Sequence, residues 1–302
     1  MENHSFDVII IGGSYAGLSA GMALGRSLRD VLIIDAGKPC NRQTPHSHNF
    51  LTHDGKTPAE ISEMGREQVE KYDTVKFYNG VVVKTGKNIT GFEVETESKE
   101  KFNAKKLIIA TGIKDVMPDI PGFNECWGVS VLHCPYCHGY EVKNETTGIL
   151  ANGEAAFEFS KMILNWTKDL PLFTNGKSEL STDQTQQLNQ YHVNINEDEF
   201  EKIEHENGYI QKIRFKNGKE IPLKALYAKI PLTQNFDVSA DLGCQLTDHG
   251  FIEIDAHQKT SVPGVYACGD NATMMRSVAN AVAQGNFAGA MVNKELVDEE
   301  FS

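Results

Sequence analysis

The chain lacks any excess of positive charge: 29 Lys and Arg against 41 Asp and Glu leave a net charge of −12. A field of that sign repels phosphate backbones and argues against nucleic acid as a partner. No apolar run reaches the roughly 20 residues needed to span a bilayer, so no membrane partner is expected. The first seven residues contain Glu2 and Asp7 and no Lys or Arg, which excludes the n-region of a signal peptide; a cytoplasmic location is the expectation. Cysteines are too few, six in 302 residues, to build a disulfide framework. Four of them (Cys40, Cys126, Cys244, Cys268) are scattered, as small buried hydrophobes usually are. Fixed-period repeats and low-complexity segments are also missing. The composition that remains, 40% hydrophobic and 23% charged, is that of a globular protein long enough for about two domains.

The chain opens with one βαβ unit. Phe6–Ile11 is a short, continuous, β-branched run, the pattern of a buried parallel strand. Gly12-Gly13-Ser14-Tyr15-Ala16-Gly17 follows at once, Leu18–Leu28 reads as a helix, and Val31–Ile34 as a second buried strand closed by Asp35. Pro58 starts a helix over Ala59–Tyr72. The β-branched segments between Val75 and Phe102, broken by Gly80, Gly86 and Gly91, predict an antiparallel meander. Leu107–Gly112 is a further buried strand ending in a turn, Thr147–Leu164 a second βαβ-like pattern, and Val265–Asp270 a last strand before a helix over Ser277–Asp298.

The first unit fits a dinucleotide-binding turn, in which pyrophosphate sits on helix N-terminal N–H groups. Gly12 supplies the tight turn and Gly17 the close helix–strand packing. Ser14 holds the middle glycine position, small enough for phosphate to approach. Asp35, 18 residues beyond Gly17, is placed to bond ribose hydroxyls. A glycine-rich turn without a ligand is the plainer alternative. Two further segments weigh against it: Thr111 and Gly112 end one strand, and Asp270 ends another just before the helix beginning near Val278. Three such motifs in this order resemble the FAD domain of the flavoproteins with two dinucleotide-binding domains. The resemblance implies that Asp270 binds the ribityl chain and that the helix at Val278 points its N-terminus at the flavin. Val82, within the predicted meander, joins the cofactor-binding candidates.

His133-Cys134-Pro135-Tyr136-Cys137-His138 is the chemical centre. A C-x-x-C loop brings two sulfurs within bonding distance, and a lowered thiolate pKa makes one a nucleophile. The string also matches a c-type haem attachment pattern, but that reading needs an export signal. Zinc would need a second Cys/His pair, and none is evident. Redox activity is the remaining reading.

A FAD fingerprint, a C-x-x-C about 120 residues later, and a C-terminal Gly269-Asp270 together resemble low-molecular-weight thioredoxin reductase over essentially the whole chain. The resemblance implies an FAD-dependent enzyme, usually a homodimer, that passes electrons between flavin and a disulfide. Cys137 would face the flavin and Cys134 would exchange with the substrate, a thioredoxin-like protein or a small dithiol or disulfide. His138 stands where those reductases carry an Asp acid; an imidazole can protonate a departing thiolate near neutral pH or act as base toward a thiol. The NADPH motif is also altered. Ala151-Asn152-Gly153-Glu154-Ala155-Ala156 keeps only the middle glycine and last alanine of G-x-G-x-x-A, and no arginine follows Phe173-Thr174-Asn175-Gly176. NADPH or NADH as donor is therefore left open. With C-x-x-C-His and the segment Asn41-Arg42…His48-Asn49-Phe50…Asp54-Gly55, the pattern is similar to a branch that includes gliotoxin-oxidase-type dithiol oxidases, which use dioxygen. That branch implies Arg42, Asn49 and Phe50 at the flavin. Ferredoxin-dependent reductases and a flavoprotein redox sensor without turnover are further alternatives.

The expected fold is α/β with two Rossmann-like dinucleotide-binding domains. A discontinuous FAD domain spans 1–114 and 242–302, and an NAD(P)H-domain-like insert over 115–241 carries the cysteine pair.

Overall fold

The computed structural model describes residues 5–302, with side chains throughout except at 238 and 239. The chain runs β1 (Ser5–Ile11), α1 (Tyr15–Arg26), β2 (Val31–Asp35), α2 (Pro58–Val69), β3 (Val75–Asn79), β4 (Val82–Asn88), β5 (Gly91–Thr96), β6 (Lys101–Ile109) and β7 (Ile113–Asp115). It continues through α3 (Phe123–Cys126), β8 (Val131–Leu132), α4 (Pro135–His138), β9 (Thr147–Leu150), α5 (Gly153–Ile163), β10 (Leu172–Phe173), α6 (Thr182–Gln190), β11 (Ile195–Asn196), β12 (Phe200–Glu206), β13 (Tyr209–Phe215), β14 (Glu220–Pro222) and β15 (Ala225–Ala228). The last elements are β16 (Leu232–Gln234), α7 (Val238–Leu242), β17 (Val265–Ala267) and α8 (Val278–Glu300).

Two compact units result. The first holds the described residues through Arg42, then Asn49–Lys114 and Leu232–Ser302; the second holds Gln43–His48 and Asp115–Pro231. The return to the first unit falls at Leu232 rather than near Asp241. The six residues Gln43–His48 belong to the second unit, a detour no composition change marks.

In the first unit, β3-β2-β1-β6 lie side by side in a parallel array, and β17 adds to β6 in parallel. The antiparallel meander is confined to β4-β5-β6. Val75–Asn79, expected in that meander, instead pairs parallel with β2, because α2 is a crossover helix that returns the chain in the same direction. The continuous apolar runs follow from burial on both faces. Val8, Ile10, Ile33 and Ile108 pack beneath α1 and α8, while Ile9, Ile11, Leu32, Leu107 and Ile109 pack on the opposite face with Phe92, Ile252 and Val262. Helix α8 lies along α1, where the Ser19 hydroxyl donates to the Val282 carbonyl at 2.7 Å. Helix α2 opens with a capping box, Thr57 and Glu60 each bonding the other's backbone N–H.

The second unit contains a five-stranded parallel sheet, β11-β10-β9-β15-β8, and a three-stranded antiparallel sheet, β12-β13-β14. Helix α5 follows β9 in the expected βαβ pattern. The polar stretch 178–207 contains α6, β11 and all of β12. Among the described residues, no helix is long and apolar enough to cross a membrane.

Candidate active site

In the first unit, three motifs meet at the carboxyl ends of adjacent parallel strands. Ile11 pairs with Ile109, and Ile109 with Ala267, so the turns after β1, β6 and β17 emerge side by side. In open α/β sheets this edge is where ligands bind. Gly12 has φ +106°, and a Cβ there would sit 2.3 Å from the Ala110 carbonyl oxygen. A Cβ on Gly17 would lie 1.8 Å from the Gly12 carbonyl oxygen, so only glycine lets α1 start this close to β1. Ser14 is the N-cap of α1 and makes no side-chain capping bond, which leaves the first-turn N–H groups facing the turn.

Asp35 accepts from the Gly13 N–H at 3.0 Å, and its own carbonyl accepts from the Gly80 N–H at 2.9 Å. The chain at residues 80–82 thereby passes beside the ribose-binding candidate. Val82 itself is buried in the core, so only its backbone is available to a ligand. Gly112 has φ +62°, and the Thr111 carbonyl accepts from Asn235 at 2.9 Å. Asp270 takes the Arg276 guanidinium at 3.5 Å and the Cys40 thiol at 3.7 Å. Val278 is the first residue of α8, capped by the Ser277 hydroxyl on the Asn280 N–H.

Arg42 and Asn49 are both exposed. The Arg42 guanidinium donates to the Pro39 carbonyl at 3.1 Å, and the Asn49 N–H donates to Asp54 at 2.7 Å with φ +59°. Phe50 stacks on His53. Neither Arg42 nor Asn49 makes a side-chain bond to the three-motif edge in the bonds described. Asn41 does reach it, donating to the Tyr15 hydroxyl at the start of α1 at 3.2 Å.

The residues of this edge fit FAD. Side-chain oxygens of Thr111, Asn41 and Asn271 are buried there without a hydrogen-bond partner in the protein, and buried polar atoms of that kind mark where a ligand bonds. Asn271, which sequence reasoning missed, donates its amide to the Ile109 carbonyl at 2.8 Å and ties the turn after β17 to β6.

In the second unit, Cys134 and Cys137 form a disulfide, with Cα atoms 5.3 Å apart. Cys134 is the N-cap of the one-turn helix α4, and its sulfur accepts from the Cys137 N–H at 3.2 Å. That donor favours the thiolate at Cys134 once the bond is reduced. Pro135 presets the first turn. Gly139 is required by close packing, since a Cβ there would lie 2.7 Å from the Trp166 indole nitrogen. Trp166 in turn meets the exposed Tyr136 ring edge-on at 5.6 Å.

His138, the last residue of α4, is pushed down to about 4 by burial and, second, by the charge of His48. Its ring is therefore neutral at neutral pH, because burial disfavours the protonated form. His48 lies 3.6 Å from the Glu141 carboxylate. Sequence reading placed His48 only within a polar segment; its approach to Glu141 depends on the Gln43–His48 detour. Among the described residues, no group of three or more His, Cys, Asp and Glu side chains is arranged to hold a metal ion.

The N-terminus of α5, where a nicotinamide dinucleotide's pyrophosphate would rest, is filled by the chain itself. The Asn152 side-chain oxygen accepts from the N–H groups of Gly153 and Glu179, both at 2.9 Å, and its amide donates to the Lys177 carbonyl at 2.9 Å. A Cβ added to Gly153 would meet the Glu179 carboxylate at 3.5 Å. Glu154, in the first turn, accepts from Gln184 at 2.5 Å. Two carboxylates thus already take the favourable end of the helix dipole, so these residues do not fit a dinucleotide.

A family model described as pyridine nucleotide-disulphide oxidoreductase matches residues 6–285. The chain is 33% identical to thioredoxin reductase tcpT of Claviceps purpurea over 96% of its length and 94% of the relative's. Among solved structures, an oxidoreductase from Agrobacterium tumefaciens superposes with a TM-score of 0.91 at 37% identity, covering 97% of this chain and 99% of that one. The thioredoxin reductase TrxB assigned in Bacillus anthracis gives 0.93 at 32% identity, covering 98% and 99%.

Proposed function

Because the chain belongs to the pyridine nucleotide-disulphide oxidoreductase family, as a thioredoxin-reductase-like FAD-dependent disulfide oxidoreductase, we propose a finer reading: it oxidises dithiols and takes no electrons from nicotinamide. The observation that carries this is the α5 N-terminus, closed by Asn152, Glu154 and Glu179.

In this reading Gly12, Ser14, Gly17, Asp35, Thr111, Gly112 and Asp270 hold FAD, with the backbone at Val82 and the α8 N-terminus at Val278 completing the site. FAD supplies, when bound, a two-electron acceptor that dioxygen can reoxidise, giving hydrogen peroxide. The protein's own steps are thiol exchanges. One substrate thiol loses its proton to solvent, and the thiolate attacks the Cys134 sulfur. The Cys134–Cys137 bond breaks and its electron pair goes to Cys137. The second substrate thiol gives its proton to the Cys137 thiolate and then attacks the substrate sulfur of the mixed disulfide. The substrate disulfide forms, and Cys134 leaves as the thiolate that the Cys137 N–H stabilises. Two electrons and two protons have left the substrate, and the cysteine pair is reduced. The substrate is a small dithiol, with a thioredoxin-like protein as the alternative of the same chemistry.

Anaerobic titration of the purified yellow protein tests this reading. Bleaching of the flavin band by a small dithiol, with none by NADPH or NADH, is the expected result. Prompt bleaching by NADPH would overturn it and restore a reductase fed by nicotinamide.

A further inference from the structure

We propose that Tyr136, braced by Trp166, is a specificity-determining residue of the thiol chemistry: its open ring face seats the aromatic ring of a small dithiol whose sulfur exchanges with Cys134. This rests on the reading of the chain as an oxidase of small dithiols and names the class it takes. Tyr136 stands between the two cysteines on α4, the one-turn helix that Cys134 caps. Pro135 before it is buried and the cysteines are half-buried, while Tyr136 is 61% exposed. A tyrosine on a free loop would swing in solvent, but this ring has a fixed neighbour. It meets the Trp166 ring at 88° with centroids 5.6 Å apart, the edge-to-face geometry that aromatic quadrupoles favour. Such a contact covers at most one face of each ring, so Trp166 leaves a face of Tyr136 open.

Trp166 is itself tied to the redox loop. Its carbonyl accepts from the Asn144 N–H at 2.9 Å. Gly139, just past the cysteine pair, packs so closely on the indole that a Cβ would lie 2.7 Å from Nε1 and 2.8 Å from Cδ1. Tyr136, Trp166 and the cysteine loop are therefore held together before any ligand arrives, which spares a ligand the cost of ordering them. The size of the patch selects the class of ligand. Between His133 and Thr146 the exposed large apolar side chains are Tyr136 and Tyr140, and the Lys143 ammonium already sits 3.4 Å from the Tyr140 ring centroid. The apolar surface this loop leaves open is that of a tyrosine ring or two. That suits one flat ring of a small molecule and falls far short of the roughly 800 Å² that each partner buries in a stable protein–protein complex. A dithiol carrying an aromatic ring gains an aromatic contact on Tyr136 that an aliphatic dithiol of equal reach does not.

The test reads selectivity. Anaerobic flavin bleaching of the purified holoprotein is followed with ortho-benzenedimethanethiol and with butanedithiol, whose sulfurs are separated by carbon chains of equal length. The ratio of kcat/KM for the two probes is compared between wild type and variant, which cancels the difference in their own thiol reactivity. In Y136L the preference for the aromatic probe falls by about threefold to tenfold, carried by KM for that probe rather than by kcat. Y136F keeps the wild-type ratio, and Y136S serves if Y136L folds poorly. Y191L, which removes a tyrosine of similar exposure at the end of α6, leaves the ratio unchanged. An unmoved ratio in Y136L and Y136S, or an equal loss of kcat with both probes, overturns the inference. If neither dithiol bleaches the flavin, the ratio is read with the cyclic disulfides of the two probes and photoreduced holoprotein. A fall in Y136L there supports the aromatic seat and sinks the proposed direction of electron flow instead; an unmoved ratio there overturns both.

Discussion

The side-chain oxygen of Asn152 accepts the backbone N–H of Glu179 at 2.9 Å, while its amide donates to the carbonyl of Lys177 at 2.9 Å. One side chain at a helix start thus stitches a separate loop over the place a pyrophosphate would take. Asn152→Ala removes both bonds and the N-cap. It is expected to cost about 1 kcal/mol of stability, measured by urea denaturation. Nicotinamide reduction is not gained, because Glu154 and Glu179 remain at the α5 N-terminus.

In the proposed reading the cysteine pair divides its labour unequally. Cys137→Ser leaves Cys134 able to attack a disulfide but removes the partner that resolves the product. Mass spectrometry of that variant after incubation with a substrate disulfide should show a stable adduct on Cys134. Cys134→Ser should show none, and both variants should lose dithiol-driven flavin bleaching. Cys268 supplies an internal control: burial pushes its thiol up to about 12, so it resists alkylation while the exposed Cys40 reacts.

Two glycine-to-alanine changes separate a required close approach from a tolerated glycine. Gly17→Ala drives a methyl group to 1.8 Å from the Gly12 carbonyl oxygen. A shift of α1 away from β1 must follow, and the variant should purify with little flavin and with stability lowered by about 3 kcal/mol or more. Gly86→Ala, on β4 with nothing within 4 Å of the new methyl, should stay within about 0.5 kcal/mol of wild type and keep its colour. Equal flavin content in the two variants would remove the dinucleotide turn from the cofactor site.

Acid stability should depend on Glu295. Burial alone would raise its pKa, but bonds from Lys106 at 2.7 Å, from Lys259 and from the Tyr266 hydroxyl at 2.7 Å hold it down to about 2. A carboxyl lowered in the folded state stabilises fully above its unfolded pKa, about 4.3, and loses that contribution as pH falls toward the folded value. Stability should therefore decline between about pH 4.5 and 2. Glu295→Gln should flatten that decline and cost about 1–3 kcal/mol at pH 7, because it strips a partner from the nearly buried Lys106. Chemical denaturation at a series of pH values reads both effects.

Much of the site was legible because its signals are local. The run from Phe6 to Gly17 specifies strand, turn and helix by apolar continuity and by glycines whose positions backbone contacts enforce. The C-x-x-C loop carries its helix start in Pro135 and its sulfur spacing in four consecutive residues. The same reasoning misjudged Val75–Asn79: its β-branched pattern fits a strand in either direction, and only the α2 crossover makes it parallel to β2. Arg42 and Asn49, carried over from a resemblance, lie on an exposed segment whose described bonds are local.

What the sequence determined by itself is the set of short-range chemical units: a dinucleotide turn, an acidic residue ending a strand, and a cysteine pair followed by histidine. Backbone geometry within a few residues dictates each of these. What tertiary structure decided is which units meet. Asn271 reaches Ile109 across 162 positions, Asn152 meets Glu179 across 27, and His48 joins Glu141 through a detour of the chain into the second unit. Such pairings leave no periodic trace, because they are set by how sheets and helices pack. The neutrality of His138 belongs with them: an imidazole's proton affinity depends on the water it has lost and the charge it faces, and both are properties of the folded chain.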